Sequence, residues 1–325
     1  MPPGLLGTGH ALPAARHTSA ELDARLSLPP GTLEARSGVA ARYHVSGDED
    51  QISLGAAAAR AALDAAGVAP SGIDLVLSAS GIPYQTLPAT APLYMRALGI
   101  EDGRAAAYDV NATCLSFLAA WDMAARAVAA GEAKRALVIS SEIASRALPW
   151  EAQPDVAALF GDGAAAAVIG PGEGPRFLMR TYPSAYESCE IGAGGTRIDY
   201  HAEPETFAAH SRFAMDGPAL FRVTARHFRG FVDALLAKAG WSLDEIDLVV
   251  PHQASPHALE HMVRHLGLPE ERVVDISRTH GNQIAASIPT ALDIAIREGR
   301  AGEGAKVLLL GTSAGVSFGG LALAL

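Results

Sequence analysis

The first residue that could do chemistry is Cys114, which lies within residues 109–117, DVNATCLSF. An extended start, then small and hydroxyl residues, then an apolar run over 115–128 predict a strand, a turn and a helix. Cys114 would then lie at a helix N-terminus, where unpaired amides and the helix dipole favour an anion. We expect its thiol to ionise more easily than a free cysteine, whose pKa is about 8.5, and to act as a nucleophile. A single cysteine is more often a small buried apolar residue, so this interpretation depends on the rest of the chain.

Two further polar segments occur where a ligand could bind. His252 follows the apolar residues 246–250, at the end of a predicted strand, where ligands of α/β proteins usually bind. Residues 280–282, His-Gly-Asn, precede a predicted helix over 285–297. Asn282 by itself could equally be a helix N-cap. A cysteine, a histidine and an asparagine on three connections would together suit acyl transfer.

The composition is that of an ordinary globular protein, and it argues against several functional classes. The 325 residues are 49% hydrophobic and 18% charged, which is enough apolar surface for one large core or two domains. A net charge of −10 without a run of Lys or Arg argues against nucleic acid as a partner. Two cysteines form no disulfide framework, and no metal-binding spacing is recognisable. Neither a signal peptide nor an apolar run long enough for a membrane is recognisable, so we expect a cytoplasmic protein with no membrane association.

Alternating helix and strand patterns predict an α/β fold. Residues 5–9 are predicted to form a short buried strand that ends in a tight turn, and residues 171–218 to run over the surface. The other predictions are helices over 53–66, 221–237, 257–266 and 285–297, and strands over 73–77, 135–140, 164–169, 246–250, 273–276, 306–310 and 315–325.

An internal repeat divides the chain into two similar halves. Three short segments recur in the same order, each displaced by about 171 to 173 residues. We therefore predict one half over 1–170 and a second over 171–325, packed about a pseudo-dyad. Two equivalent helix N-termini would then bring Cys114 close to Asn282. The repeated segments are 63–76 with 236–249, 120–124 with 291–295, and 133–138 with 305–310.

Taken together, these motifs resemble the 3-oxoacyl-[acyl carrier protein] synthase III branch of the thiolase-fold condensing enzymes. The resemblance extends over nearly the whole chain, and it implies a five-layered αβαβα fold and a homodimer. Any one of the motifs would be weak evidence, but their order along the chain is specific. They lie at residues 109–114, 160–164, 215–221, 252–254 and 280–289.

The resemblance also implies roles for individual residues. Cys114 would take an acyl group from a thioester. His252 and Asn282 would polarise the carbonyl of a malonyl-type thioester during its decarboxylation, and the backbone amides of Cys114 and Ala314 would hold the other oxyanion. The product would be a β-ketoacyl thioester, made without a metal or another cofactor.

Several positions bear on what carries the acyl group. The resemblance places Thr32 where relatives that use coenzyme A primers usually have a tryptophan, and Pro154 and His257 where they often have arginines. Arg222 and Arg264 match basic positions on the face that docks the acyl carrier protein. Because a basic patch suits an acidic carrier, we expect carrier-bound substrates.

Three further features complete the expectations. Leu87 matches the position from which one subunit usually caps the acyl pocket of its partner, and Cys189 receives no role. Residues 311–319 contain fewer glycines than the matching segment of the housekeeping enzymes, which suggests specialised fatty acid or polyketide metabolism. Two alternatives stay open. One is an acyltransferase of the same fold that passes the acyl group of Cys114 to an alcohol or amine, and the other is a non-catalytic subunit of a heterodimeric synthase.

Overall fold

The computed structural model describes residues 3–325, which form two main β-sheets and the helices that cover them. The strands are β1 (Pro3–Ala11), β2 (Ala15–Thr18), β3 (Ala41–His44), β4 (Leu75–Ser78), β5 (Ala106–Asp109), β6 (Ala136–Glu142), β7 (Gly163–Pro171), β8 (Arg176–Thr181), β9 (Cys189–Glu190), β10 (Ala214–Met215), β11 (Leu248–Pro251), β12 (Lys306–Ser313) and β13 (Ser317–Ala324). The α-helices are α1 (Ser19–Arg25), α2 (Thr32–Ser37), α3 (Gln51–Ala66), α4 (Ala91–Leu98), α5 (Ser116–Ala130), α6 (Pro154–Ala157), α7 (Pro204–Ala209), α8 (Gly217–Ala239), α9 (Pro256–Leu266), α10 (Ser277–His280) and α11 (Ser287–Arg297).

The two main sheets have the same strand order. The first runs β1-β7-β6-β4-β5, with β4 parallel to β5 and β6, and β7 antiparallel to β1 and β6. The second runs β8-β13-β12-β11, with β11 parallel to β12, and β13 antiparallel to β8 and β12. Val273 forms a parallel bridge to Val249 of β11, at the position that β5 occupies beside β4. The second sheet therefore repeats the first.

The helices and sheets form five layers, and three apolar clusters pack these layers together. Residues of α5 and α11 pack between the two sheets, in one cluster with residues of both. Helices α3 and α4 cover the outer face of the first sheet, and α8 and α9 cover the outer face of the second. Because both faces of each sheet are covered, β4, β6, β7 and β11 are buried almost throughout. The predicted αβαβα arrangement of two similar halves is confirmed.

Close packing of α3 on the first sheet explains two glycines of β1. A Cβ atom at Gly7 would lie 2.5 Å from Ala66 N, and one at Gly9 would lie 2.5 Å from Ala62 N. Only glycine lets the helix backbone approach the strand this closely. The predicted tight turn after residues 5–9 is therefore wrong, because the strand continues to Ala11.

Most of the other predicted elements are present. Helix α8 is longer than predicted, since it begins at Gly217, directly after its N-cap residue Asp216. The stretch 171–218, which we expected to run over the surface, contributes β8 to the second sheet. Within residues 3–325 no helix combines the length and apolar character that a membrane span requires. The division at residue 170 stays a prediction, and it falls one residue before the end of β7.

Candidate active site

The turn that carries Cys114 is held by its own side chains. Cys114 is the middle residue of a single 3-10 turn that leads directly into α5. Asn111 Oδ1 accepts a hydrogen bond from Thr113 N at 2.9 Å, and Ser116 Oγ donates to Thr113 O at 2.7 Å. Thr113 has φ of 53°, a left-handed conformation that is costly for a β-branched residue and persists only where the surroundings fix it. These bonds hold Cys114 at one position before the helix.

The turn before α11 has the same construction. Ile284 N donates to Asn282 Oδ1 at 2.8 Å, and Ile284 has φ of 50°. The two turns are about 171 residues apart, the displacement of the sequence repeat. Asn282 therefore corresponds to Asn111, and Ala285 corresponds to Cys114.

His252 lies directly after β11, at the carboxyl end of that strand. It is buried, its backbone N donates to Leu310 O at 2.7 Å, and its Nδ1 has no hydrogen-bond partner among residues 3–325. A Cβ atom at Gly311 would lie 3.0 Å from the Cβ of His252, so any side chain on the neighbouring strand at this position would crowd the histidine. Burial lowers the pKa of His252 to about 4, which keeps the ring neutral at neutral pH. A neutral imidazole can donate a hydrogen bond to a developing negative charge.

One cavity of about 750 Å³ brings the predicted catalytic residues together, because Cys114, His252, Asn282 and Ala314 all line it. Much of its wall is apolar, as an acyl chain requires. In the part of the chain that the structure describes, Glu190 is the one Asp, Glu, Lys or Arg of the lining. The apolar wall includes Ile82, Leu148, Leu159, Phe160, Phe213 and Ile284.

The electrostatics of Cys114 differ from the sequence-based expectation. Cys114 is half-buried, and burial raises the pKa of its thiol to about 12, with smaller contributions from the nearby Glu142 and Cys189. The backbone amides of Ala314 and of Cys114 itself lower this pKa, but by less than burial raises it. The expectation of an easily ionised thiol is therefore wrong. The same two amides are the donors predicted for the oxyanion, and both favour negative charge at Cys114.

The predicted pocket and docking residues lie outside the cavity. Leu87 is 84% exposed and does not line the cavity of its own chain. Arg222 of α8 and Arg264 of α9 are exposed. The two helices meet where the rings of Phe221 and His261 lie 4.8 Å apart, so both arginines belong to one region of the surface. Their roles stay predictions.

The positions that bear on the carrier lie at the surface near α2 and α6. Thr32 is the first residue of α2 and is half-buried, and Pro154 begins α6. Arg36 of α2 forms a salt bridge of 3.3 Å with Asp155, the neighbour of Pro154. His257 is exposed and lies 3.9 Å from Glu260 on the same helix. Arg36, the arginine next to these positions on α2, is thus already paired with the carboxylate of Asp155.

Sequence reasoning missed three residues at the cavity. Cys189 lines it, although it received no role. Asn111 lines it and fixes the Cys114 turn, and Glu142 lies buried behind that turn. A signal for Asn111 was present, because an asparagine stands five residues before a serine in both repeats, Asn111 before Ser116 and Asn282 before Ser287. An acidic residue at the end of a buried strand was the signal for Glu142.

Comparisons with known proteins agree with this fold. The family model described as 3-oxoacyl-[acyl-carrier-protein (ACP)] synthase III matches residues 108–184, and the model of its C-terminal part matches residues 236–325. The chain is 37% identical over 320 residues to the beta-ketoacyl-[acyl-carrier-protein] synthase III of Rhizorhabdus wittichii, covering 98% of each chain. It is 34% identical over 322 residues to the protein of that name from Neisseria meningitidis serogroup C, covering 98% of this chain and 97% of the relative. The structure of 3-oxoacyl-(acyl carrier protein) synthase III from Pseudomonas aeruginosa PAO1 superposes with a TM-score of 0.88 at 30% identity, covering 100% of this chain and 98% of the other.

Proposed function

Because the chain belongs to the 3-oxoacyl-[acyl-carrier-protein] synthase III family, we propose that it is a condensing enzyme that loads an acyl group on Cys114 and extends it with a malonyl-type thioester. The observation that carries this proposal is the single cavity lined by Cys114, His252, Asn282 and Ala314, whose amide favours negative charge on the sulfur of Cys114. The family membership supports the condensing chemistry in general, and the residue roles are our inference.

In the first step, the sulfur of Cys114 attacks the carbonyl of an acyl thioester. The negative charge that develops on the carbonyl oxygen is held by the backbone amides of Cys114 and Ala314, and one such donor contributes about 3 kcal/mol. The carbon–sulfur bond to the carrier then breaks, and the departing thiolate receives the proton that the Cys114 thiol loses. The products are an acyl-cysteine and a free carrier thiol, so the step is balanced without an external acid or base.

In the second step, a malonyl-type thioester loses carbon dioxide. The carboxylate leaves as CO₂, and its electron pair becomes the enolate of the remaining thioester. His252, which is neutral, and the amide of Asn282 donate hydrogen bonds to the enolate oxygen. The enolate carbon attacks the acyl-cysteine, and the thiolate of Cys114 leaves and takes up a proton from solvent water. The product is a β-ketoacyl thioester, and no metal or cofactor takes part in these steps.

A direct test combines intact-mass measurement with detection of carbon dioxide. We expect an acyl adduct on the wild-type chain after exposure to acyl carrier proteins, no adduct on Cys114→Ala, and CO₂ release from a malonyl thioester. An adduct without CO₂ release would favour the alternative acyltransferase. No adduct with any activated thioester would favour the non-catalytic subunit.

We propose that the acyl group arrives on a carrier protein rather than on coenzyme A. Three features support this preference. Glu190 gives the described lining of the cavity a negative rather than a positive charge, and Arg36 is paired with Asp155. Arg222 and Arg264 are exposed on adjoining helices and suit an acidic carrier. The preference is contradicted if an acyl-coenzyme A acylates Cys114 faster than the matching acyl carrier protein does.

We propose that the active unit is a homodimer joined near β5. This strand is the edge of the first sheet, is largely exposed and carries the exposed ring of Tyr108, and an unpaired edge favours addition of another strand. Leu87, also exposed, would then cap the cavity of the partner subunit, and its size suits a moderately long acyl chain. Light scattering should give twice the mass of one chain.

The remaining sequence-based expectations enter the proposal unchanged. Residues 311–319, which contain fewer glycines than the matching segment of the housekeeping enzymes, support a role in specialised fatty acid or polyketide metabolism, and we place the enzyme in the cytoplasm. A panel of acyl carrier proteins with chains of increasing length, read out as the mass of the Cys114 adduct, would test the substrate range.

A further inference from the structure

Glu142 is a buried acidic residue to which the proposed mechanism gives no task. It ends β6 and is completely buried. Its carboxyl group accepts a hydrogen bond from Gly81 N at 2.5 Å and a longer one from Ile82 N at 3.3 Å, and the amide of Ala285 also favours its charged form. Burying a carboxyl group costs free energy, so a structure that retains one and binds it with main-chain amides has a use for it.

On one side, hydrogen bonds connect Glu142 to the nucleophile. Gly81 N donates to Glu142, and Gly81 O accepts from Asn111 Nδ2 at 3.1 Å. Asn111 Oδ1 in turn accepts from Thr113 N at 2.9 Å, and Thr113 directly precedes Cys114. Because each hydrogen bond orients the group that makes the next one, the position of the Glu142 carboxyl group determines the position of the Cys114 turn.

On the other side, Glu142 contacts the turn of Asn282. The amide of Ala285, which corresponds in the repeat to the amide of Cys114, lowers the pKa of Glu142. Gly81 is wedged between the two turns, because a Cβ atom on it would lie 2.9 Å from Ile284 Cγ2 and 3.4 Å from the carbonyl carbon of Thr113. The turn before α11 therefore faces an internal carboxyl group, whereas the equivalent turn before α5 faces the proposed substrate.

We propose that Glu142 is a positioning residue that fixes the Cys114 turn relative to the Asn282 turn, and thereby sets the distance between the acyl group and the enolate. This role rests on the proposed loading of Cys114. Glu142 touches neither reacting group and acts through Gly81, Asn111 and Ala285.

The carboxyl group also has an electrostatic signature that a purely structural residue lacks. Its charge raises the pKa of the Cys114 thiol. Burial raises the pKa of Glu142 itself to about 8, so the charge is present above pH 8 and largely absent at pH 7. Removing the carboxylate should therefore make the thiol easier to ionise, but only above pH 8.

The experiment measures two reactions of Cys114 in the full chain: acylation by an acyl carrier protein at pH 7, and alkylation by iodoacetamide from pH 6 to 10. For Glu142→Gln, which keeps one acceptor oxygen, we expect acylation to slow about 10-fold, and for Glu142→Ala about 100-fold. We expect alkylation of Glu142→Gln relative to wild type to rise through pH 8 and reach roughly threefold at pH 9. Asn111→Ala should slow acylation about 10-fold without this rise, because it breaks the hydrogen-bond chain and removes no charge.

Asp293→Asn is the matched control, since Asp293 is an equally buried carboxylate that bonds Thr8, His10 and Arg297 away from the cavity. It should lose stability and keep the acylation rate and the alkylation profile. The proposal is overturned if Glu142→Gln acylates within twofold of wild type, or if its alkylation relative to wild type does not change with pH. Should Glu142→Ala not fold, Glu142→Gln and Asn111→Ala carry the test. If the wild-type chain accepts no acyl group, the proposed function fails, while the alkylation profile still decides whether the Glu142 charge reaches Cys114.

Discussion

The turn before α5 and the turn before α11 share one backbone and differ in chemistry. In each, an asparagine oxygen accepts from the amide two residues later, at 2.9 Å for Asn111 and 2.8 Å for Asn282. In each, that asparagine donates to a carbonyl oxygen after a parallel strand, Gly81 O at 3.1 Å and Ala254 O at 3.4 Å. The residue after that amide is Cys114 in the first half, which carries a thiol, and Ala285 in the second, which carries only a methyl group.

The histidine, unlike the cysteine, is present only in the second half. His252 N donates to Leu310 O at 2.7 Å, and in the first half Ala79 N donates to Ile139 O at the same distance. The first half therefore presents a nucleophile where the second has alanine, and the second presents a histidine where the first has alanine. A duplicated scaffold would place two copies of each group around the cavity. The difference between the halves leaves one of each, which suits the proposed meeting of a single acyl group with a single enolate.

The largest effect should come from the cysteine position. Cys114→Ala removes the nucleophile, and we expect acyl transfer to fall by about 10⁴-fold or more. Ala285→Cys added to that variant places a thiol at the equivalent turn, but Ala285 is fully buried and its amide faces Glu142, so no activity should return. Intact-mass measurement after exposure to acyl carrier proteins checks both variants. An adduct at position 285 would show that the two turns are chemically interchangeable.

The two asparagines offer a finer comparison. Asn282→Asp keeps the oxygen that holds the turn and loses the amide donor, so we expect decarboxylation of a malonyl thioester to fall about 10²- to 10³-fold. Asn111→Asp makes the same change in the first half, and decarboxylation should fall less than about 10-fold, because the enolate is bound by the second half. Carbon dioxide release is measured for both variants. Equal losses would contradict the assignment of the enolate site to Asn282.

The repeat that relates these turns was visible in the sequence, but part of the site was not. Helix and strand periods and the repeated segments were sufficient to predict two α/β halves and to bring Cys114, His252 and Asn282 to one place. They could not predict the surroundings of Glu142, because the main-chain amides near its carboxyl group belong to Gly81, Ile82 and Ala285, far away along the chain.

The direction of the thiol pKa was wrong for a related physical reason. A helix N-terminus can be recognised from local sequence, and it lowers the pKa of a nearby thiol. The burial that outweighs it at Cys114 comes from tertiary packing of the cavity wall, and so does the nearby Glu142. The local sequence pattern therefore pointed to Cys114 as the proposed nucleophile but could not predict the direction of its pKa shift.

The neutrality of His252 can be tested by pH, since the first half has alanine in its place. With a pKa of about 4, the ring stays neutral between pH 7 and pH 5, and decarboxylation by Cys114→Ala should change less than about twofold over this range. A histidine at its usual pKa of about 6.5 would lose about 30-fold at pH 5. The lowered pKa also contributes stability that is complete above pH 6.5 and is lost as the pH falls towards 4, so circular dichroism at each pH is the control.

The smallest effects should come from the N-caps of the outer helices. Asp50 accepts from Ser53 N at the start of α3, and Asp216 accepts from Ala219 N at the start of α8, so each Asp→Ala change removes one cap worth about 1 kcal/mol. Helix α3 is buried from its first turn, whereas the buried residues of α8 begin only at Phe228. Fraying of α8 over its first turns therefore breaks few core contacts. We expect Asp50→Ala to lower the global free energy of unfolding in urea by about 1 kcal/mol, and Asp216→Ala to lower it by less while increasing hydrogen exchange near the start of α8. Equal global losses would mean that the exposed start of α8, which carries Arg222, is as firmly anchored as its counterpart in the first half.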